Sequence, residues 1–312
     1  MPVFSHIIEE QINPSLRLDR YVSEVLSVLS RSQIKARNLK AKINGKDVKI
    51  SRYVKNGDSL ELTWDDSKPL DIIPQDIPLD IIHEDKRCIV VNKTRGMVTH
   101  PGAGNRQGTF ANALCFRRIR RGESESGSTR PGIVHRLDKD TSGVIIAAFD
   151  DEALMFLADQ FKDRKTKKNY IAVVKGAPKE KKGRIETFIA RDPKDRKRFT
   201  VSAAGRNAVT FYKIIKSWCV NSKDIYSLVL LRPRTGRTHQ LRVHLRHINC
   251  PILGDPIYSA EDKLFSKVSL MLHSKSLAIT LPGEANECVF SAPVPQRFRE
   301  VMDKLNRMTK NE

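Results

Sequence analysis

The apolar positions of the first 70 residues predict a small unit of helices and a short β-hairpin. Six of these positions recur at helical spacing: Leu18, Tyr21, Val22, Val25, Leu26 and Leu29. Ser30 is a suitable N-cap for a second helix, in which Arg31, Lys35 and Arg37 form a basic face. The pair Asn44-Gly45 predicts a tight turn between two strands. The apolar faces of the hairpin would come from Val48, Ile50, Leu60 and Leu62.

The pattern becomes rich in strands after residue 80. Short apolar runs that are typical of strands lie at 81–82, 88–91, 133–134, 144–148, 170–174 and 226–231. Helical spacing predicts two helices, over 151–161 and 238–248. The Gly-, Ser- and Glu-rich stretch 120–129 predicts a loop.

Proline marks the boundary between these two patterns. Pro69, Pro74 and Pro78 lie among acidic residues within 66–80. Proline at this density favours extended chain and removes backbone hydrogen-bond donors. We therefore predict a first domain over 1–70, a linker over 71–80 and a second domain over 81–312.

The charge of the chain indicates the class of partner. Its 312 residues include 56 Lys and Arg against 36 Asp and Glu, a formal net charge of +20. The basic residues form three clusters: nine lie within 31–55, sixteen within 162–206, and five arginines without an acid within 232–247. A single cluster is commonly a solvated face, but three favour a nucleic acid, whose phosphates attract Lys and Arg.

Other classes of protein fit the sequence less well. No apolar run approaches the ~20 residues of a membrane span, and the N-terminal residues do not have the pattern of a signal peptide. We therefore expect a cytoplasmic protein without a membrane partner. The five cysteines never form a C-x-x-C pair, and His239, His244 and His247 lack the spacing of a zinc motif. We expect no metal, and structural or RNA-facing roles for these histidines.

The segment 130–143 is the strongest candidate for a functional site. It places many charged and polar residues between two apolar strands, and such a conflict with local patterning often marks function. Its last six residues are also ordinary turn-forming residues, so a surface turn is an equally good interpretation from this segment alone. In an extended chain Asp138 and Asp140 lie on one face, about 6–7 Å apart. The spacing leaves both carboxylates as candidates.

Several segments resemble, in order, the RluA/RluD-type pseudouridine synthases. His135-Arg136-Leu137-Asp138, followed by Thr141-Ser142-Gly143, is similar to the signature of that family. Residues 92–102 resemble its first motif, with Thr94 where proline is usual, 168–172 its Lys-x-Tyr-x-Ala element and 234–244 its third motif. Residues 17–58 resemble an S4 RNA-binding domain. The resemblance covers nearly the whole chain.

This resemblance implies that the chain converts uridine within RNA into pseudouridine. The C–N glycosidic bond breaks, the uracil turns over, and a C–C bond forms from C5, an isomerisation that needs no metal or small-molecule cofactor. The resemblance also implies Asp138 as the nucleophile. It implies Arg237 as the guanidinium that keeps Asp138 ionised, and Tyr170 as the aromatic platform for the extruded base.

Other basic residues are expected to contact RNA. The resemblance suggests that Arg136 fills the space of the displaced base or binds its phosphate. Phosphate contact is the interpretation for Arg234 and Arg242. In the S4-like unit, Arg31, Lys35 and Arg37 are expected to add affinity and orientation: they lie on its predicted basic helix.

The fold implied is α+β, a small S4-like α/β-hairpin domain followed by a larger, mixed and mainly antiparallel β-sheet domain. The expected substrate is structured RNA, above all large-subunit ribosomal RNA, and the expected enzyme is a monomer. Two alternatives stay open. One is a non-catalytic RNA-binding or ribosome-assembly factor with the same fold, and the other is a glycosidase or nuclease that uses Asp138 with Asp140.

Overall fold

The computed structural model describes residues 3–9, 16–26, 28–29, 34, 37–65, 72–102, 104–122, 132–220 and 224–309. The chain divides into two compact units, Met1–Asp71 and Ile72–Glu312. The proline-containing segment 72–80 has no regular secondary structure. It belongs to the second unit, and hydrogen bonds attach it to the rest of that unit. The Gln75 N–H donates to the Asn112 carbonyl (3.1 Å), and Asn112 Nδ2 donates to the Ile73 carbonyl (2.8 Å).

The described residues of the first unit form a four-stranded antiparallel sheet and one helical segment. The elements are β1 (Val3–Ile7), α1 (Leu18–Arg20), a π-helical turn that continues it (Tyr21–Val25), β2 (Lys40–Ile43), β3 (Lys46–Val48) and β4 (Ser59–Thr63). The strand order is β1-β4-β2-β3. Leu18, Tyr21 and Val22 are fully buried in the core, as their helical spacing predicts.

The predicted turn of the first unit is present, and its first helix is shorter than predicted. Asn44 (φ 52°) and Gly45 (φ 77°) form the tight turn between β2 and β3. The helical segment ends at Val25 rather than Leu29, and Ile50 lies beyond the end of β3. Arg31 and Lys35 of the predicted second helix lie outside the described residues.

The second unit contains one large sheet and four helices in its described residues. Its strands are β5 (Ile81–Glu84), β6 (Cys88–Lys93), β7 (Ser142–Ala148), β8 (Lys167–Lys175), β9 (Lys182–Arg191), β10 (Phe199–Val201), β11 (Arg206–Val220), β12 (Asp224–Pro233), β13 (Leu272–Thr280) and β14 (Glu287–Ser291). Its helices are α2 (Phe110–Arg120), α3 (Asp151–Lys162), α4 (Gln240–His247) and α5 (Gln296–Met308). None of the described helices has the length and apolar character that a membrane span requires.

The large sheet is mixed and mainly antiparallel, which confirms the expected fold class. The strand order is β10-β9-β11-β12-β8-β13-β7-β6-β5, and β14 pairs with β13. Among the described strands, β7 and β13 form the parallel pair, and all others pair antiparallel. All seven residues of β7 are buried, because its alternate side chains pack into two cores on opposite faces of the sheet.

Continuous apolar runs located five strands of the sheet, but other elements, including the central strand β13, went unpredicted. The runs at 81–82, 88–91, 144–148, 170–174 and 226–231 lie in strands, and both predicted helices are present as α3 and α4. The strand predicted at 133–134 was wrong, because Ile133 forms a single bridge to Ala147. The missed strands β9 and β11 alternate between exposed and buried residues for most of their length, a pattern that a search for apolar runs does not detect.

Gly143 allows the close pairing of β7 with β13. Its φ is +112°, and a Cβ at this position would lie 2.1 Å from the carbonyl oxygen of Ser274. Ser274 is in register with Gly143 on one side and with Tyr170 of β8 on the other. A side chain at position 143 would therefore separate the strands on which the candidate site is built.

We predict that Gly143→Ala lowers the free energy of unfolding of the second unit by about 2 kcal/mol or more, through backbone strain and the clash with Ser274. Gly283→Ala is the matched control, because Gly283 also has a positive φ (+90°) but a Cβ added there would meet no atom within 4 Å; we expect a loss of about 1 kcal/mol. Urea denaturation followed at Trp218, in a Trp64→Phe background, measures both. Equal losses would contradict the proposed clash.

Candidate active site

Asp138 lies in the turn that precedes β7, and hydrogen bonds hold this turn to the segment after β6. Thr99 Oγ1 donates to the Leu137 carbonyl (2.8 Å) and accepts from the Leu137 N–H (3.2 Å). The Thr141 N–H donates to the Asp138 carbonyl (3.1 Å). The Asp138 side chain is 20 % exposed and lines a pocket together with Tyr170.

A buried lysine joins the same two segments. Lys93 is 1 % exposed, and its Nζ donates to the carbonyls of Thr94 (2.9 Å), Met97 (2.8 Å) and Lys139 (3.3 Å). Burial lowers the pKa of Lys93 to about 8, although the negative charge of Asp138 opposes this shift. The segments 92–102 and 132–143, which belong to separate motifs of the sequence, are thus joined by hydrogen bonds.

Arg242 of α4 connects Asp138 to a second carboxylate. Its Nε and Nη2 donate to the two oxygens of Asp255 (2.8 and 2.7 Å), and its Nη1 lies 3.4 Å from Oδ2 of Asp138. Burial opposes the positive charge, but the hydrogen bonds and charge of Asp255, with a further contribution from Asp138, raise the pKa of Arg242. Arg242 therefore stays charged and fixed in place beside Asp138.

Arg237 lines the pocket but makes different contacts from those expected. Its side-chain Nε donates to the Asn207 carbonyl (3.2 Å), and its backbone N–H donates to Oε1 of Gln240 (3.0 Å). The family resemblance implies that Arg237 is the partner of Asp138, and Arg242 was expected to contact phosphate. In the structure the guanidinium of Arg242 contacts Asp138. Arg237 precedes α4 and Arg242 lies on it. Sequence spacing could not show which of the two faces Asp138.

His239 also faces Asp138, and a tyrosine sets its orientation. Its backbone is left-handed (φ 56°), and its Nε2 lies 3.8 Å from Oδ2 of Asp138. Its Nδ1 is 2.9 Å from the Tyr258 hydroxyl, which accepts the Phe199 N–H (2.8 Å). The hydroxyl proton is thus available to Nδ1, which places the imidazole proton on Nε2, facing Asp138. Burial lowers the pKa of His239, although Asp138 opposes the shift.

Tyr170 forms part of the pocket wall and retains its proton at neutral pH. Its side chain is largely buried, and β8 places it opposite Ser274. Burial raises its pKa to about 12, with a further increase from the negative charge of Asp138, while the hydrogen bond with Ser274 acts in the opposite direction. Tyr170 therefore offers a ring and a protonated hydroxyl near Asp138.

The remaining predicted residues have different surroundings. Arg136 is exposed and lines it. Asp140 does not line it and lies instead 3.6 Å from Arg95. Arg234 is exposed just beyond the end of β12, outside the pocket lining. Arg37 is half-buried in the first unit.

The histidine and cysteine clusters of the described residues suit structural roles. His244 lies between the hydroxyls of Thr187 (3.1 Å) and Thr210 (2.9 Å), and burial lowers its pKa to about 4. His83, Asp85 and Cys88 place three potential ligand atoms within 4.8 Å of one another. Burial, with a further contribution from the negative charge of Asp85, raises the pKa of the Cys88 thiol to about 12.

The pocket thus combines a carboxylate, a guanidinium, an imidazole N–H and an aromatic ring. A carboxylate in this setting can act as a nucleophile or as a base, and the adjacent guanidinium can stabilise negative charge. The ring of Tyr170 offers one wall against a planar group. This arrangement suits a reaction on a flat, polar molecule such as a nucleobase.

Comparisons with known proteins define the class to which this pocket belongs. Residues 87–247 match the family described as RNA pseudouridylate synthase. The chain is 44 % identical over 295 residues to the ribosomal large subunit pseudouridine synthase D of Borreliella burgdorferi, covering 91 % of this chain and 88 % of the relative. It is 34 % identical over 303 residues to the protein of the same name from Xanthomonas campestris (93 % and 88 % covered).

A solved structure agrees with these relatives. Human RNA pseudouridylate synthase domain containing 4 superposes with a TM-score of 0.57 at 27 % identity, over 72 % of this chain and 92 % of that one. The chain therefore belongs to the RNA pseudouridine synthase family and is an enzyme of RNA modification. The expected activity is confirmed at this level.

The buried Lys93 generates a prediction for the pH dependence of stability. Its pKa is about 8 in the folded chain and 10.5 in its ordinary state, so the unfolded chain holds this proton more tightly. Stability rises with pH wherever the unfolded state binds more protons. From pH 7 to pH 10 we therefore expect wild type to gain about 2 kcal/mol relative to Lys93→Met. Urea unfolding of both proteins across this range is the measurement, and a constant difference would contradict the assignment.

Proposed function

We propose that this chain isomerises uridine to pseudouridine in large-subunit ribosomal RNA, with Asp138 as the nucleophile. The observation that carries the nucleophile assignment is the placement of Asp138 in the pocket, within 3.4 Å of the Arg242 guanidinium. The names of the two bacterial relatives, both ribosomal large subunit pseudouridine synthases, support the substrate class. The net charge of +20 agrees with an RNA substrate.

In the proposed reaction the target uridine leaves the RNA stack and enters the pocket. Leaving the stack requires a few kcal/mol. An oxygen of the Asp138 carboxylate bonds to C1′ while the bond between C1′ and N1 breaks. The electron pair of the broken bond stays on the uracil. The uracil turns, C5 bonds to C1′, the carboxylate is released, C5 loses its proton and N1 gains one. Atoms and electrons balance within the nucleotide, so no oxidant is consumed.

The neighbours of Asp138 have distinct proposed roles. Arg242 stabilises the negative charge of the Asp138 carboxylate. Its hydrogen-bonded ion pair with Asp255 holds the guanidinium, and thereby this carboxylate, in position. His239 places Nε2 3.8 Å from Oδ2 of the same carboxylate and adds to the polar surroundings of Asp138. The Tyr170 ring stacks against the uracil, and such contacts stabilise a bound base by ~1–3 kcal/mol. The hydroxyl of Tyr170, which keeps its proton at neutral pH, is our candidate for proton transfer with the uracil.

Basic residues around the pocket would bind the RNA backbone. Arg136 and Arg237 line the pocket and are placed to contact the phosphates of the extruded nucleotide. In the first unit, which we propose to be an S4-type RNA-binding domain, Arg31, Lys35 and Arg37 add affinity. These contacts are independent of sequence and should weaken with salt.

We predict that Asp138→Asn abolishes pseudouridine formation in an RNA transcript and leaves RNA affinity within about twofold, because the amide fills the same space without the nucleophilic oxygen. Asp140→Asn is the matched control and should retain activity, since Asp140 pairs with Arg95 outside the pocket. Carbodiimide labelling with primer extension measures the product. Turnover by Asp138→Asn would overturn the assignment.

The same assay separates the alternative functions. A non-catalytic RNA-binding factor would bind the transcript and yield no pseudouridine with wild type. A glycosidase or nuclease would release uracil or shorten the RNA, whereas isomerisation leaves both its mass and its length unchanged.

We also predict different effects for the two arginines of the third motif. Arg242→Lys removes the forked contact with Asp255 and misplaces the charge beside Asp138, so kcat should fall about 100-fold. Arg237→Lys should mainly raise KM, because Arg237 does not contact Asp138. Steady-state kinetics measure both, with circular dichroism to confirm folding. A larger loss of kcat for Arg237→Lys would restore the role that sequence analysis gave to Arg237.

A further inference from the structure

A second basic surface lies on the sheet of the second unit, outside the catalytic pocket. It is a groove of about 1190 Å³ on the β9, β11, β12 and β8 strands. Six residues define what we call the sheet groove: Lys182, Arg184, Phe211, Lys213, Arg232 and Arg234. Nothing in the proposed reaction uses them, except that sequence analysis assigned Arg234 to RNA.

Strand register arranges these side chains in two rows. Phe211 of β11 is directly opposite Arg184 of β9 and Arg232 of β12, so an aromatic residue lies between two arginines of the adjacent strands. Lys213, two residues further along β11, is directly opposite Lys182. Side chains two residues apart share a face of the sheet. The ring of Phe211 is 42 % exposed.

The charges of the sheet groove are poorly balanced. Among the residues that the structure describes, none that lines it is acidic. Arg184 pairs with Glu186, and Arg232 Nε donates to Asn169 (2.8 Å).

Three further cations of the groove have no acidic partner. Lys182, Lys213 and Arg234 form no ion pair with any residue of the described part of the chain. Burial, with a contribution from the Arg234 guanidinium, lowers the pKa of Lys168 at the groove edge.

An ordinary solvated sheet face would look different. Solvent-exposed faces usually mix charges of both signs. Like charges directly opposite each other, as at Lys182 and Lys213, destabilise a sheet. An exposed phenyl ring flanked by two arginines offers a surface on which a base can stack. A polyanion with planar bases would neutralise the cations and cover the ring at once.

The sheet groove also adjoins the catalytic pocket. Pro233, at the end of β12, lines both. Arg234 follows it on the groove side, while residues 235–242 line the pocket. Leu231 is opposite Tyr170 and the next residue, Arg232, is opposite Phe211, so the groove side chains and Tyr170 lie on opposite faces of the sheet. An RNA strand would reach both sites by passing round the end of β12 at Pro233.

We propose that the sheet groove binds the RNA strand that flanks the target uridine. Lys182, Lys213 and Arg234 neutralise its phosphates, and an unpaired base stacks on Phe211. This inference rests on the proposed function for its RNA substrate, and it adds a binding site separate from the reacting nucleotide. The groove raises the affinity for RNA that extends beyond the target uridine. It does not change the rate of the chemical step.

The charge contribution is tested with the full chain and a large-subunit ribosomal RNA transcript. Lys182→Glu/Lys213→Glu should weaken equilibrium binding at least tenfold at about 0.1 M salt and reduce the slope of log K against log salt by about 2. Lys263→Glu/Lys267→Glu is the matched control: it makes the same change in net charge at two exposed lysines that line neither site. It should weaken binding less than twofold. Equal effects of the two double variants, or no effect of the first, would overturn the proposal.

The stacking contribution is tested at one position. Phe211→Leu keeps an apolar side chain but removes the aromatic face, and it should weaken binding about tenfold. Phe211→Tyr keeps the aromatic face and should bind as wild type does. Equal affinities of the leucine and tyrosine variants would overturn stacking on Phe211.

Kinetics distinguish this proposal from the proposed function. With saturating transcript the groove variants should form pseudouridine at the wild-type rate, and with a short stem-loop that carries only the target they should also match wild type in KM. A loss of rate at saturation would contradict a pure binding role. If wild type binds the transcript through the groove but forms no pseudouridine, the proposed function fails and the groove proposal stands.

Discussion

The active site depends on one buried guanidinium that is shared by two carboxylates. Arg242 is 5 % exposed, and Asp255 takes two of its N–H groups while accepting backbone N–H groups of Ile257 and Tyr258. A buried charge without partners is strongly destabilising. Asp255 therefore fixes Arg242, and Arg242 in turn presents Nη1 to Asp138. The carboxylate of Asp138 is positioned by a side chain that is itself held rigidly.

The scaffold supplies the same rigidity from the other side. Strand β13 lies between β7 and β8, and its Ser274 is in register with both Gly143 and Tyr170. The turn that contains Asp138 is held by hydrogen bonds from Lys93 and from Thr99, which lies in the segment after β6. The carboxylate and the aromatic wall are thus set by two strands of one sheet that β13 joins. Elements far apart in sequence meet at Asp138 because the sheet order brings them together.

Much of this arrangement could be predicted from local patterns, and the rest depends on tertiary packing. Apolar runs located five of the strands, and the polar interruption at 130–143 marked the segment that contains Asp138 and Asp140, between which the family resemblance chose Asp138. The contact of Arg242, rather than Arg237, with Asp138 could not be foreseen, because it depends on where α4 begins. The pairing of Arg242 with Asp255 joins residues 13 positions apart through a loop that carries no local signal. The helix α5 went unpredicted, although the 3- and 4-residue spacing of Phe298, Val301 and Leu305 is a readable helical signal.

The most direct test of the account is a pseudouridine map of total RNA from cells that lack the gene, complemented with either wild type or Asp138→Asn. The account predicts that at least one pseudouridine of large-subunit ribosomal RNA is lost on deletion and returns with wild type alone. A map that deletion leaves unchanged, or that the asparagine variant restores, would contradict it.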